Sequence, residues 1–433
     1  MDPIIQAYFA LGISAVIPIW YASHASVKAP IVLKKKGAKN SADSTESSDE
    51  DDEVVERMTS EDAYWFPVLG SGALLGLYLI FKYLNKDLIN ALFAGYFALM
   101  GSGALTTMLV TITKSTLGPT LWSKQTKYKF RLTRNTADVL FSLRFTNWHI
   151  AYLLVSVILS AIQWYTKQWI LSNMFALSFA FNAITLLKLD SFKTGTVLLA
   201  GLFIYDVWWV FGSSHAFGES VMVSVAKNFA APIKITWPRA ITDFLSTDEK
   251  KFAMLGLGDI VMPGIFVALS LRFDYKKAYD KIVKSTTGPI NKKTILSPTA
   301  DFPRPYFYTC MASYILGLGI TMAVMHFFKA AQPALLYLSP ACTGSVLLLA
   351  MVNGDTQEYW RWEDGEDDDR KPEASKDGEK EAKKSDDDHK AIKSAESHSQ
   401  NKDDQNDEGW TSGGLDSAHS VRLTAAGNKK NKK

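Results

Sequence analysis

Long apolar runs alternate with short charged blocks along most of the chain. About 20 apolar residues at 1.5 Å each are needed to cross the hydrocarbon layer of a bilayer as a helix. Residues 3–22 form the first run of that length. Others follow at about 64–84, 88–112, 147–165, 168–187, 194–213, 253–271, 305–328 and 331–353. A soluble domain would instead mix polar and apolar positions on a short period. The pattern predicts an all-α polytopic membrane protein with nine transmembrane helices.

The charged blocks divide the chain into five parts. Residues 1–39 read as an N-terminal membrane anchor helix with a basic flank. Residues 40–62 read as an acidic, disordered linker, with Ser47-Ser48-Asp49-Glu50-Asp51-Asp52-Glu53 at its centre. Membrane helices two to five occupy 63–193, and helices six to nine occupy 194–353. Residues 354–433 are rich in charge and low in aromatics, the composition of a disordered tail. The first run is expected to be an anchor rather than a cleaved signal peptide. No Lys or Arg precedes it, whereas Lys28, Lys34, Lys35, Lys36 and Lys39 follow it. In the loop 214–252, Val221-Met222-Val223-Ser224-Val225 is β-prone and is expected to pair with an extended peptide.

Charge placement adds an orientation. The loops after helices one, three, five and seven hold Lys28–Arg57, Lys114–Arg144, Lys188 with Lys193, and Arg272–Arg304. Those after helices two, four and eight hold only Lys82 with Lys86, Lys167 and Lys329. Cytosolic loops carry the excess of Lys and Arg. This predicts a luminal or external N-terminus and a cytosolic C-terminus. The basic loops are thereby explained without a nucleic-acid partner. A net charge of +3 adds nothing, because acidic segments offset the basic ones.

Candidate chemistry sits in two of the apolar runs, each of which contains a carboxylate. One is Gly201-Leu202-Phe203-Ile204-Tyr205-Asp206-Val207-Trp208-Trp209-Val210-Phe211. The other is Met254-Leu255-Gly256-Leu257-Gly258-Asp259-Ile260-Val261-Met262-Pro263-Gly264. An Asp at the centre of a spanning helix costs roughly 2.5–3.5 kcal/mol. On antiparallel neighbours, Asp206 and Asp259 fall at one depth, roughly 10 Å below the luminal surface by helical rise. Two close carboxylates in a low dielectric share a proton. One can then activate a water while the other protonates a carbonyl oxygen. That chemistry needs no cofactor and no metal.

The neighbouring residues fit such a site. Gly256 and Gly258 allow close approach to the backbone beside Asp259. Tyr205 places a hydroxyl next to Asp206. Pro263 removes a helical hydrogen bond near Asp259 and loosens that turn. Intramembrane carboxylates also line ion and proton paths, so the pair alone leaves catalysis and transport both open. There is no His-Glu-x-x-His pattern and no phosphate-cradling loop. Cys310 and Cys342, both in apolar runs, read as small buried hydrophobes.

Three motifs together narrow the choice. They are Tyr205-Asp206 in one helix, Gly256-Leu257-Gly258-Asp259 in the next, and Gln332-Pro333-Ala334-Leu335 opening the last. In order, spacing and helix count the chain resembles the intramembrane aspartyl proteases, and most closely their signal peptide peptidase branch. The resemblance spans about residues 64–353 and implies a presenilin-like fold. It implies Asp206 and Asp259 as the catalytic dyad. Tyr205, Gly256, Leu257, Gly258, Gln332, Pro333, Ala334 and Leu335 would then shape the site or bind substrate. Implied partners are the lipid bilayer and membrane-embedded peptides, namely signal peptides and type II transmembrane helices. A homo-oligomer or quality-control partners in the endoplasmic reticulum membrane are implied as well. The alternatives are a transporter or channel using the same carboxylates, and a non-proteolytic quality-control scaffold.

Overall fold

A computed structural model describes residues 3–27, 56–123, 126–133, 139–218, 221–229, 231–239, 252–285, 301–328 and 332–364. Residues 1–370 form one compact unit. The acidic run at 47–53 and the tail beyond residue 364 lie outside the described residues.

The chain opens with α1 (Pro3–Ser26), then a short strand β1 (Glu56–Met58), α2 (Ser60–Tyr83) and α3 (Lys86–Ser123). A hairpin of β2 (Lys127–Thr133) and β3 (Val139–Thr146) leads into α4 (Asn147–Thr166) and α5 (Trp169–Leu186). Strand β4 (Leu187–Leu189) precedes α6 (Phe192–Val207), which continues through a π-helical turn, Trp208–Gly212, into α7 (Ser213–Phe217). The short helix α8 (Val221–Asn228) is followed by β5 (Lys234–Pro238) and β6 (Phe252–Gly256). Four helices finish the described chain: α9 (Gly258–Ser285), α10 (Pro305–Phe328), α11 (Leu335–Asn353) and α12 (Thr356–Arg361).

Eight of the described helical segments are long and apolar enough to cross a membrane, α6 and α7 counting as one from Phe192 to Phe217. Helix α9 is the ninth long helix. It falls short on composition because its second half carries Arg272, Asp274, Lys276, Lys277, Asp280, Lys281 and Lys284. Its first half is buried almost without a break from Ile260 to Leu271. A helix apolar all round belongs in the middle of a bundle, and α9 is packed by α1, α5, α10 and α11.

Helix α1 shows how one element serves both core and lipid. Ala7, Leu11, Ala15, Ile19 and Ala22 share one face by their three- and four-residue spacing. That face is buried against α5 and α9. Phe9, Ile13, Ile17 and Tyr21 lie on the other face and are exposed. In water such a face would be an aggregation site, whereas in a bilayer it is where lipid belongs.

Several expectations about boundaries change. Residues 56–62 are not linker. Strand β1 pairs in parallel with β4, Glu56 opposite Leu187 and Met58 opposite Leu189. Helix α2 begins at Ser60 under a capping box in which Thr59 and Asp62 exchange hydrogen bonds. The segment at Val221 is helix α8, not a strand. Its apolar side, with Val221 and Val225, packs into a cluster with Tyr78, Phe81 and Trp209. β-branched residues favour strands only weakly, and burial of one helical face decides here. Residues 272–285, expected as loop, continue α9. The run from residue 253 begins as strand β6, so the helix proper starts only at Gly258. Residues 354–364, expected as the start of the tail, belong to the body: α12 and the residues to Asp364 pack on it. Tyr359 stacks on Phe192 with ring centroids 4.3 Å apart, and Trp362 packs on Phe192 and Phe273.

Candidate active site

Three elements meet around Asp206. Helix α6 carries it near its C-terminal end, and the aspartate is buried, with 3% of its surface exposed. The helix then widens into the π-helical turn. Single π-turns cluster at functional sites because they re-aim side chains within an otherwise regular helix. Helix α11 supplies the second element. Pro333 and Ala334 form its opening turn, with the Leu336 N–H donating to the Pro333 carbonyl and the Leu338 N–H to the Ala334 carbonyl. This leaves the Leu335 N–H free to point outward, and it donates to Asp206 Oδ2 at 3.3 Å. Unsatisfied N–H groups at a helix N-terminus suit an anion.

The third element is the β5–β6 ribbon running into α9. Lys234 pairs with Gly256, Thr236 with Met254, and Pro238 with Phe252. The Leu257 N–H donates to the Ile233 carbonyl at 2.9 Å, so the ribbon extends one pair further. The chain then turns sharply. The Leu257 carbonyl accepts from both Ile260 and Val261, which starts α9. Asp259 therefore sits in the first turn of its helix, not several residues inside it. The expectation of two carboxylates at one depth rested on helical rise through 253–258. Those residues are strand and turn, so that derivation does not hold.

Asp206 and Asp259 nevertheless lie within electrostatic reach of each other. Asp206 is buried and Asp259 is half-buried. Two carboxylates sharing a water-poor site have the chemistry to hold one proton between them.

The other expected residues divide. Gly256 lines the dyad, and a Cβ there would lie 3.3 Å from Asp259 Oδ2. Gly258 faces open space, so its role is not close packing. Leu257 contributes the ribbon's last hydrogen bond and packs against the core. Pro333 and Ala334 are buried, and Gln332 is half-buried just before them. The ring of Tyr205 packs on α2 at Gly70 and beside Trp209, and its hydroxyl stays within electrostatic reach of Asp206. Pro263 does not break α9, which stays helical through it.

Two residues escaped sequence reading. The Tyr314 hydroxyl, on α10, donates to the Asp259 carbonyl at 3.3 Å. Asn173, on α5, brackets β5: its Nδ2 donates to the Thr236 carbonyl at 2.7 Å, and its Oδ1 accepts the Thr236 N–H at 2.9 Å. Nothing local marks Asn173. Only Pro263, four residues after Asp259, hinted that a partner for the Asp259 carbonyl was needed. Among the described residues no cluster of His, Cys, Asp and Glu could hold a metal ion.

Comparison with known proteins agrees with the geometry. The sequence profile of the Signal peptide peptidase family matches residues 49–366, well over half of the chain. The chain is 37% identical to "Signal peptide peptidase" from Homo sapiens over 368 residues, covering 84% of this chain and 85% of that protein. It is likewise 37% identical over 368 residues to "Signal peptide peptidase" from Mus musculus, at 84% of each chain. A solved structure of a presenilin family intramembrane aspartate protease overlaps 80% of this chain and 98% of that one. Its TM-score is 0.40 and its identity 13%. The chain belongs to the signal peptide peptidase family, and it is a multi-pass intramembrane aspartic endopeptidase acting on membrane-embedded substrates.

Proposed function

We propose that Asp206 and Asp259 are the catalytic dyad and that they divide the work between them. The observation that carries this reading is the hydrogen bond from the Leu335 N–H to Asp206. A backbone donor stabilises a carboxylate's charged form, so Asp206 is the general base that takes a proton from the attacking water. Asp259 is the acid that protonates the substrate's carbonyl oxygen. Pro333 and Ala334 hold the turn that aims the Leu335 amide. Gly256 keeps space open beside Asp259, and Leu257 anchors the ribbon to the start of α9.

Substrates on this reading are signal peptides and type II transmembrane helices, cut after local unwinding. An unwound stretch needs partners for its backbone groups, since lipid offers none. In an antiparallel pair, alternate residues point their N–H and C=O groups away from the partner strand. Thr236 is such a residue on β5, and Asn173 has filled both of its outward groups. On β6 the outward-pointing residues are Phe252, Met254 and Gly256, opposite Pro238, Thr236 and Lys234. That edge leads straight into Asp259. An extended substrate adds to β6 there, so the strand-pairing role expected of Val221–Val225 moves to Phe252–Gly256.

The excess of Lys and Arg after helices one, three, five and seven supports a luminal N-terminus and a cytosolic C-terminus. The family supports residence in the endoplasmic reticulum membrane. The test is cleavage of a signal-peptide-like helix by the purified protein in detergent. The wild type is expected to cut, and Asp259→Ala to lose at least about 100-fold in rate. Equal cutting by both would end the dyad assignment.

A further inference from the structure

Within α9, the N–H of residue 263 would normally donate to the carbonyl of residue 259. Position 263 is proline and has no N–H to give. The carbonyl of Asp259 thus lacks its fourth-residue donor at the start of the helix that presents the carboxylate. A carbonyl left without a partner in a water-poor protein interior is unfavourable. The structure supplies one replacement from another helix. Tyr314 on α10 is fully buried, and its hydroxyl donates to that carbonyl at 3.3 Å. The same hydroxyl lies close enough to the Asp259 carboxylate to feel its charge.

We propose that Tyr314 is a positioning residue for Asp259: its hydroxyl replaces the helical hydrogen bond that Pro263 removes, and ties the catalytic turn to α10. This rests on Asp259 being one of the two catalytic carboxylates. An ordinary helix would hold Asp259 by its own fourth-residue bond, in whatever place α9 dictates. Here that bond is handed to a neighbouring helix, so the aspartate's position depends on how α9 and α10 sit together. The contact Tyr314 makes is to a main-chain atom of Asp259. Its removal should therefore slow the chemical step and leave substrate binding alone.

The pairing of a missing donor with an added one gives a test that a merely structural tyrosine would fail. The full-length protein is purified in detergent, and kcat and KM are measured on a fluorogenic peptide that forms a membrane helix. Tyr314→Phe, which keeps the ring and its packing, is expected to lower kcat about fivefold with KM unchanged. Pro263→Ala in the Tyr314→Phe background restores the missing N–H and is expected to recover most of that loss. Pro263→Ala alone is the reference against which the double variant is read. A kcat for Tyr314→Phe within about twofold of wild type, or no recovery in the double variant, would overturn the tether. Asp259→Asn runs alongside. Retained cleavage there would overturn the dyad and the tether with it. A dead Asp259→Asn beside an unaffected Tyr314→Phe would overturn the tether alone.

Discussion

The two ends of α9 handle charge in opposite ways. At the first turn, Asp259 lies within electrostatic reach of a second carboxylate, and a hydrogen bond from Tyr314 reaches its main chain. Some fourteen residues on, Arg272 and Asp274 are more deeply buried and far better served. Arg272 donates through Nε to Asp364 at 2.6 Å, through Nη1 to Ser26 and through Nη2 to the Leu189 carbonyl. Asp274 accepts the N–H groups of Tyr306 and Phe307 at the start of α10. Lys277 and Tyr306 both donate to Asp355. These contacts form a network that ties α9 to α1, β4, α10, Asp355 and the segment after α12. Paired charge fixes structure there, and under-paired charge at the other end remains available for chemistry.

If that division is real, breaking the network should cost stability and spare the chemistry. Arg272→Met keeps most of the side chain's volume and removes its donors. Breaking a buried ion pair by deleting one partner typically costs about 3 kcal/mol or more. The variant is expected to unfold several degrees below wild type, while kcat per folded molecule holds. Asp364→Asn should lose less, and the two losses should not add. Thermal unfolding in detergent, with activity measured well below the transition, checks it. A collapse of kcat with an unchanged melting temperature would erase the contrast between the ends.

The converse substitution sits at Gly256. Its Cβ would lie 3.3 Å from Asp259 Oδ2, tight enough that the carboxylate must shift. Gly258 has open space and provides the control. Gly256→Val is expected to lower kcat about tenfold or more by displacing the acid, with little change in melting temperature. Gly258→Ala should lose much less through packing. Equal losses at both would mean that backbone freedom, not room beside the carboxylate, is what these glycines provide.

The sequence made the active centre easier to read than the network that holds it. Asp206 and Asp259 stood out because charge inside apolar runs is rare, and the Pro-Ala-Leu motif stood out only through its family resemblance. The helices were legible for the same reason: length and hydropathy are local properties. Strand β6 was not, because Phe252–Gly256 is as apolar as the helix that follows. Only pairing with β5 fixes it as extended. Helix α8 was misread because its valines favour strand, while its burial against Tyr78 and Trp209 depends on distant parts of the chain. Arg272, Asp355 and Asp364 looked like loop and tail charges, since their partners lie tens or hundreds of residues away. Tyr314 was one apolar-run tyrosine among several. Its meaning comes from Pro263, some fifty residues earlier.

The smallest expected effect lies at the rim of the network, and its sign follows from the hydrogen bonds. Burial by itself would raise the Asp355 carboxyl, but the bonds from Lys277 and Tyr306 outweigh it and hold the group below its ordinary value. A carboxylate depressed in the folded state stabilises the protein at pH values above its unfolded pKa, near 3.9. That contribution is lost as pH falls toward and through the folded value. Asp355 is 21% exposed, so water weakens the pairing and the contribution is modest. Asp355→Asn is therefore expected to lower the melting temperature slightly at pH 7, with the difference from wild type shrinking as pH drops below about 4. Cleavage should be unaffected throughout. A difference that grew on acidification would mean that Asp355 is held neutral rather than charged. The basic end of α9 would then also contain an under-paired carboxylate, like the catalytic end.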